Sequence, residues 1–270
     1  LAQTAPPAVF GAFCESRLAG HWGHSFGTLG AGTDFATIIA RAQPRADLLY
    51  FADTAHVPYG NKPDHFIRGR VVAIGEHLVA QGCGMLVVAC NTATAAAVRA
   101  LRENYPELPI VGVEPGVKPA AAASLSRHIA VLATESTANS ERLARLIADH
   151  AAGVTVHVEA CPGWATRVES LHLDDPALIA EVRARVTPLL DAGADRIVLG
   201  CTHYSFLEPI LAPLIAGKAE LVDVADAVAR QCVRLAGKAA EGDSRLFLHA
   251  TSHADRLHAA LPALGLGWLS

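Results

Sequence analysis

The sequence predicts an α/β protein built from two similar doubly wound domains with mainly parallel sheets. Three observations carry that expectation. Short β-rich runs alternate with longer stretches of helical period along almost the whole chain, as strands joined by crossover helices do. Pro and Gly fall together between the periodic stretches, in Val57-Pro58-Tyr59-Gly60, Glu114-Pro115-Gly116 and Cys161-Pro162-Gly163, where loop breakers belong. One strand-to-helix junction also recurs in both halves. Met85-Leu86-Val87-Val88-Ala89-Cys90-Asn91-Thr92 and Arg196-Ile197-Val198-Leu199-Gly200-Cys201-Thr202-His203 each pass from a buried strand through a small residue and a cysteine into polar residues that open a helix.

Taken in chain order, the short apolar runs at 9–13 and 48–51 read as strands, followed by a helical period over 64–81. A strand at 85–89, a helix at 92–104 and a strand at 110–113 complete the first half. The segment around 114–119 crosses to the second half. There strands are expected at 129–133, 154–158 and 197–200, and helices at 140–150, 176–192 and 206–215. A helix at 223–239, a strand at 246–250 and a helix at 253–261 follow, with the C-terminal helices returning to the first half. The expected domains are 1–113 plus 226–270, carrying Cys90, and 114–225, carrying Cys201.

A chain of 270 residues can bury one large core or two compact ones without staples. Hydrophobic residues make up 51% and charged residues 18%, which fits a globular enzyme and not a disordered or fibrous chain. The net charge of −4 gives no basic footprint, so nucleic acid is not expected as a primary partner. The six cysteines are scattered and form no CxxC pair, which implies neither a disulfide framework nor a zinc site. The first residues lack a charged region followed by an apolar run, and no stretch reaches the ~18 apolar residues of a membrane span. A cytoplasmic protein with reduced thiols is expected.

Ligands of open parallel sheets bind outside the carboxyl ends of the strands, where helix N-termini favour anions. Cys90 and Cys201 are both expected at that edge, where unpaired helix N–H groups lower a thiol's pKa. Asn91, Thr92, Thr202 and His203 add polar groups for a carboxylate or thiolate. Two opposed acid/base groups are the minimum for removing a proton from one face of a carbon and returning one to the other. Cysteine, with a reference pKa of about 8.5, serves as either partner near neutral pH. A lone cysteine after a strand is more often a small packing residue, and Cys83, Cys161 and Cys232 are read so. The matched contexts Cys-Asn-Thr and Cys-Thr-His are not.

Five segments, in the same order, make the sequence resemble the glutamate racemases of the aspartate/glutamate racemase superfamily. They are Phe51-Ala52-Asp53-Thr54-Ala55-His56-Val57-Pro58-Tyr59-Gly60, Val88-Ala89-Cys90-Asn91-Thr92-Ala93, Gly112-Val113-Glu114-Pro115-Gly116-Val117-Lys118-Pro119, Val131-Leu132-Ala133-Thr134 and Leu199-Gly200-Cys201-Thr202-His203-Tyr204. The resemblance implies a cofactor-independent interconversion of L- and D-glutamate in a cleft between the domains, with Cys90 and Cys201 as the proton donors and acceptors. It implies that His203 assists Cys201 and that Glu169 acts near the second half of the site. Tyr59, Gly60, Asn91, Thr92, Thr202 and His203 then form the substrate shell, extended by Thr134 and Thr137. It also implies D-glutamate for peptidoglycan synthesis, and a homodimer.

The N-terminus departs from the family pattern, which opens with a strand and Asp-Ser-Gly. One register matches that loop with Cys14-Glu15-Ser16-Arg17, making Glu15 the acid/base helper of Cys90 and Ser16 a substrate contact. Another matches it with Phe26-Gly27-Thr28-Leu29-Gly30, which holds no carboxylate. Racemases of related substrates such as aspartate, and a poorly active or non-catalytic homologue with an altered first loop, are the competing expectations. A nucleotide cofactor is not expected, because no GxGxxG loop follows a strand and no GxxxxGK[ST] loop occurs.

Overall fold

In the computed structural model the described residues are 9–14, 47–169, 173–236 and 245–252. They form two parallel sheets. The first contains β1 (Val9–Cys14), β2 (Asp47–Ala52), β3 (Cys83–Ala89), β4 (Ile110–Gly112) and β9 (Leu246–Ala250), in the order β4-β3-β1-β2-β9. The second contains β5 (His128–Ala133), β6 (Thr155–Ala160), β7 (Arg196–Leu199) and β8 (Glu220–Val222), in the order β6-β5-β7-β8. Among the described residues every strand pair in both sheets is parallel, so each connection must cross over a face of its sheet.

Helices supply the crossovers. In the first half α1 (Asp64–Ala80) joins β2 to β3 and α2 (Asn91–Asn104) joins β3 to β4. They bury Ile67, Val71, Leu78 and Leu101 against Leu86 and Val88 of β3. The inner strands carry almost unbroken apolar runs because helices shield both faces.

In the second half come α3 (Val117–Ala123), the short α4 (Glu135–Ala138), α5 (Glu141–His150), α6 (Trp164–Glu169) and α7 (Pro176–Asp191). After β7 follow a 3-10 helix (Thr202–Leu207), α8 (Glu208–Ile215) and, beyond β8, α9 (Ala225–Ala236). Local signals set several starts. Ser140 Oγ accepts from Leu143 N at 3.1 Å to cap α5, and Asp175 caps α7, with Pro176 in the first turn where its missing N–H costs nothing. One face of the second sheet packs Leu132 and Ile197 on Val182, Trp164 and Tyr204. The other packs Ile129, Val131 and Val198 on Val117 and Leu143.

All eight expected strands are present, and the structure adds β8. At three residues, Glu220–Val222 is too short to show a period. The expected crossover runs into α3, and α4 and α6 are likewise short helices without a full amphipathic repeat. Thr202 to Leu207 is a correction: the chain after Cys201 winds first as a 3-10 turn, and the α-helix starts at Glu208. The helix expected at 253–261 lies outside the described residues. Among those described, no helix is long and apolar enough to cross a membrane.

Candidate active site

Both junctions singled out in the sequence stand at carboxyl ends of parallel strands. Cys90 directly follows β3 and is the N-cap of α2, with extended φ and ψ of −152° and 126°. Its Sγ accepts from Ala93 N at 3.4 Å, so the helix's first turn points an amide at the sulfur. Cys201 follows β7 after Gly200 and is also extended, at −144° and 134°. Gly200 is required there, since a Cβ would lie 2.8 Å from the Leu132 carbonyl oxygen and 3.2 Å from Ala133 Cβ.

The two cysteines differ in what holds them. The Cys201 side chain makes no capping bond to the 3-10 helix that follows it. Its Sγ lies 3.7 Å from His203 Nδ1 instead, and His203 is itself buried. The expectation that both thiols face a helix amide is thus corrected: a 3-10 turn aims its N–H groups differently and places a ring nitrogen at the sulfur. An imidazole there can take up or supply a proton.

Cys83, Cys161 and Cys232 are buried and behave as packing residues. Burial pushes the Cys83 thiol up to about 11 and the Cys232 thiol up to about 12. It pushes Cys161 further still, reinforced by the Glu159 carboxylate.

Three threonine hydroxyls join the halves beside Cys90. Thr92 Oγ1 lies 3.0 Å from Thr134 Oγ1 and 3.3 Å from Thr137 Oγ1, and Thr134 Oγ1 donates to Thr137 Oγ1 at 3.1 Å. Thr92 sits on the first turn of α2, whereas Thr134 directly follows β5 and caps α4. The carboxyl edges of the two sheets therefore meet at this ring. Gly60 belongs to the same seam, for a Cβ there would lie 2.8 Å from Thr134 Cγ2. Asn91 is buried and its Oδ1 accepts no hydrogen bond, an acceptor left open for an ammonium or amide donor.

The Tyr59 hydroxyl is engaged within the protein: it donates to Asp53 Oδ2 at 2.6 Å. Asp53 also receives Arg70 Nε and Nη2 at 3.0 and 2.7 Å, with His56 Nδ1 at 2.9 Å. Burial raises the Asp53 carboxyl's pKa, but the bonds from Arg70, Tyr59 and His56 outweigh it and hold the group below its ordinary value. This knot pins the loop that delivers Gly60. Neither Asp53 nor Arg70 is among the site residues expected from the sequence.

A polar groove of about 1280 Å³ adjoins the seam at Gly60, and Glu135, Ser136, Arg99, Glu141 and Arg145 are among the residues that line it. Ser136 Oγ reaches Asp64 Oδ1 across it at 3.4 Å. Of the remaining sequence candidates, Thr202 opens the 3-10 helix next to Cys201. Glu169 ends α6, and its side chain lies outside the described residues. Glu15, Ser16 and the alternative Gly27-Thr28 also lie outside them.

A model of the Asp/Glu/hydantoin racemase family matches residues 35–232. The chain belongs to that family. Among its relatives, a glutamate racemase from Ectopseudomonas mendocina (strain ymp) is 50% identical over 200 residues, covering 74% of this chain and 76% of its own. A glutamate racemase from Pseudomonas putida (strain ATCC 700007) is 42% identical over 247 residues, covering 88% and 92%. The crystal structure of Escherichia coli glutamate racemase in complex with L-glutamate and the activator UDP-MurNAc-Ala superposes with a TM-score of 0.77. It covers 96% of each chain at 27% identity. The racemase family's two-sheet architecture is thus the architecture described above.

Proposed function

We propose that this chain interconverts L- and D-glutamate without a cofactor, Cys90 and Cys201 exchanging the Cα proton from opposite faces of the substrate. The observation that carries the reading is the pairing of two cysteines on equivalent strand ends whose sheets meet edge to edge at Thr92 and Thr134. One sulfur begins as thiolate and takes the Cα proton. The other begins as thiol and gives its proton to the opposite face, so the charge on the pair is unchanged and the reverse reaction uses the same groups with roles exchanged. His203 assists Cys201, and Glu169 supports that half of the site.

Gly60, Asn91, Thr92, Thr134, Thr137 and Thr202 hold the substrate's carboxylates and ammonium, with Tyr59 setting the Gly60 loop. Glu15 is the helper of Cys90, with Ser16 a substrate contact. The domains are 1–113 plus 226–270 and 114–225, a division supported by β9 pairing with β2 and by α9 packing against β4. The reading includes D-glutamate supply for peptidoglycan in the cytoplasm, and a homodimeric protein.

Incubating L-glutamate in deuterated water tests the reaction. The wild-type protein is expected to replace the Cα proton by deuterium while D-glutamate appears, and Cys90→Ala and Cys201→Ala are each expected to abolish racemisation. Racemisation that survives both substitutions overturns the thiol assignment. Turnover of aspartate in preference to glutamate overturns the substrate.

A further inference from the structure

A side chain takes the place of the last rung between β3 and β4. Leu86 N donates to the Pro109 carbonyl at 3.0 Å, and the strands then pair Leu86 with Ile110, Val87 with Val111 and Val88 with Gly112. Rungs of a parallel ladder are evenly spaced, so the next would run from Val113 N to the Val88 carbonyl. Val113 N donates instead to Thr94 Oγ1 at 3.0 Å, and Thr94 Oγ1 donates to the Val88 carbonyl at 3.2 Å. One hydroxyl, acting as acceptor and donor at once, is wedged between the two strand ends.

The chain makes room for this wedge. A Cβ at Gly112 would lie 2.6 Å from Thr94 Cγ2 and 3.0 Å from its Oγ1. Thr94 and Val113 are both fully buried, so water does not compete for the bonds. Thr94 stands on the first turn of α2, and its N–H donates to the Cys90 carbonyl at 2.9 Å. Its hydroxyl meanwhile holds the carbonyl two residues before the cysteine. One residue thus anchors the chain on both sides of Cys90, and the extended backbone between those anchors turns Sγ toward Ala93 N. The bond from Val113 extends the grip to the point where the chain leaves the first sheet for α3 and β5.

We infer that Thr94 is the positioning residue for the Cys90 sulfur, its hydroxyl setting where that thiol stands relative to the second sheet. It acts through the backbone of Val88, Cys90 and Val113. The inference rests on the reading of Cys90 as an acid/base group, and it adds to that reading a residue outside the cysteine's own contacts. Proton transfer is sensitive to such placement, because an error of about 1 Å in a reacting group can cost on the order of a hundredfold in rate.

Three substitutions in the full chain test it. Thr94→Ala vacates the wedge and lets Val113 N reach the Val88 carbonyl directly, so the Tm is expected to change little while kcat for L-glutamate falls at least about tenfold, with a smaller change in KM. Thr94→Val keeps the shape but blocks the rung and leaves two buried main-chain groups unpaired, so Tm and kcat are both expected to fall. Thr94→Ser keeps the hydroxyl and is expected to recover most of the lost kcat. Alkylation of Cys90 by iodoacetamide, located by peptide mass, is followed against pH in each variant. Its profile is expected to move to higher pH in the Ala and Val variants, where the Ala93 amide no longer meets the sulfur, and to return in the Ser variant. An unchanged kcat and alkylation profile in Thr94→Ala overturns the inference, and so does a loss that Thr94→Ser fails to recover. A wild type that does not racemise glutamate strikes the reaction instead, and the alkylation profile then decides the role of Thr94 by itself.

Discussion

The hydroxyl oxygens of Thr92 and Thr134 lie 3.0 Å apart, one from each half of the chain. With Thr137 they close a small ring in which each hydroxyl is already bonded. A carboxylate entering the seam must exchange these neutral bonds for stronger charge-assisted ones.

Thr92→Val removes one donor from the incoming carboxylate and leaves the Thr134–Thr137 bond intact. The expected outcome is a rise in KM for L-glutamate of about 10-fold or more, as the loss of a bond to a charged group of roughly 1.5–3 kcal/mol requires. Steady-state kinetics beside a melting curve checks this, since a folding defect would lower Tm as well.

Asn91 presents the opposite balance. Its buried Oδ1 has no hydrogen-bond partner, an arrangement that costs on the order of 1–3 kcal/mol. Asn91→Ala is therefore expected to keep or raise the Tm of the substrate-free protein while raising KM. Equal losses of stability and affinity would place Asn91 in the scaffold.

Gly60→Ala tests the seam sterically. The added Cβ meets Thr134 Cγ2 at 2.8 Å and Thr134 Cβ at 2.9 Å, closer than such atoms approach without a shift. Secondary structure is expected to remain intact, and kcat/KM to fall by at least about tenfold, or roughly 1.4 kcal/mol.

Asp53→Asn probes the knot behind the Gly60 loop. Its carboxylate is fully buried, whereas the Arg70 side chain is 26% exposed, so the loss is expected near about 2 kcal/mol, below that of a fully buried pair. The folded-state pKa lies below the ordinary value of 3.8. This contribution is accordingly complete above the unfolded pKa and disappears as pH falls through the lower, folded one. The Tm difference between wild type and variant should hold steady near neutrality and shrink only under acid conditions.

The strands and long helices were legible because apolar runs and helical periods extend over several residues. β8 and the 3-10 turn were not, since three residues show no period and a 3-10 start looks like an α-helical one in sequence. The two cysteines could be read from their repeated setting. Their unlike partners could not, for whether Sγ meets Ala93 N or His203 Nδ1 depends on the dihedral angles of the following turn. The role of Arg70 was hidden because it lies 17 positions from Asp53 in sequence, and only the packing of α1 on the sheet brings the two together.

A helix amide steadies one sulfur and an imidazole stands beside the other, so the cleft lacks mirror symmetry although its strands repeat. Mirror-image substrates nevertheless have equal free energies in water, which fixes kcat/KM at one common value for both directions of the proposed reaction. Any inequality between the thiols is therefore confined to kcat and KM taken singly. Whichever enantiomer has the lower KM is turned over with the lower kcat, by the same factor.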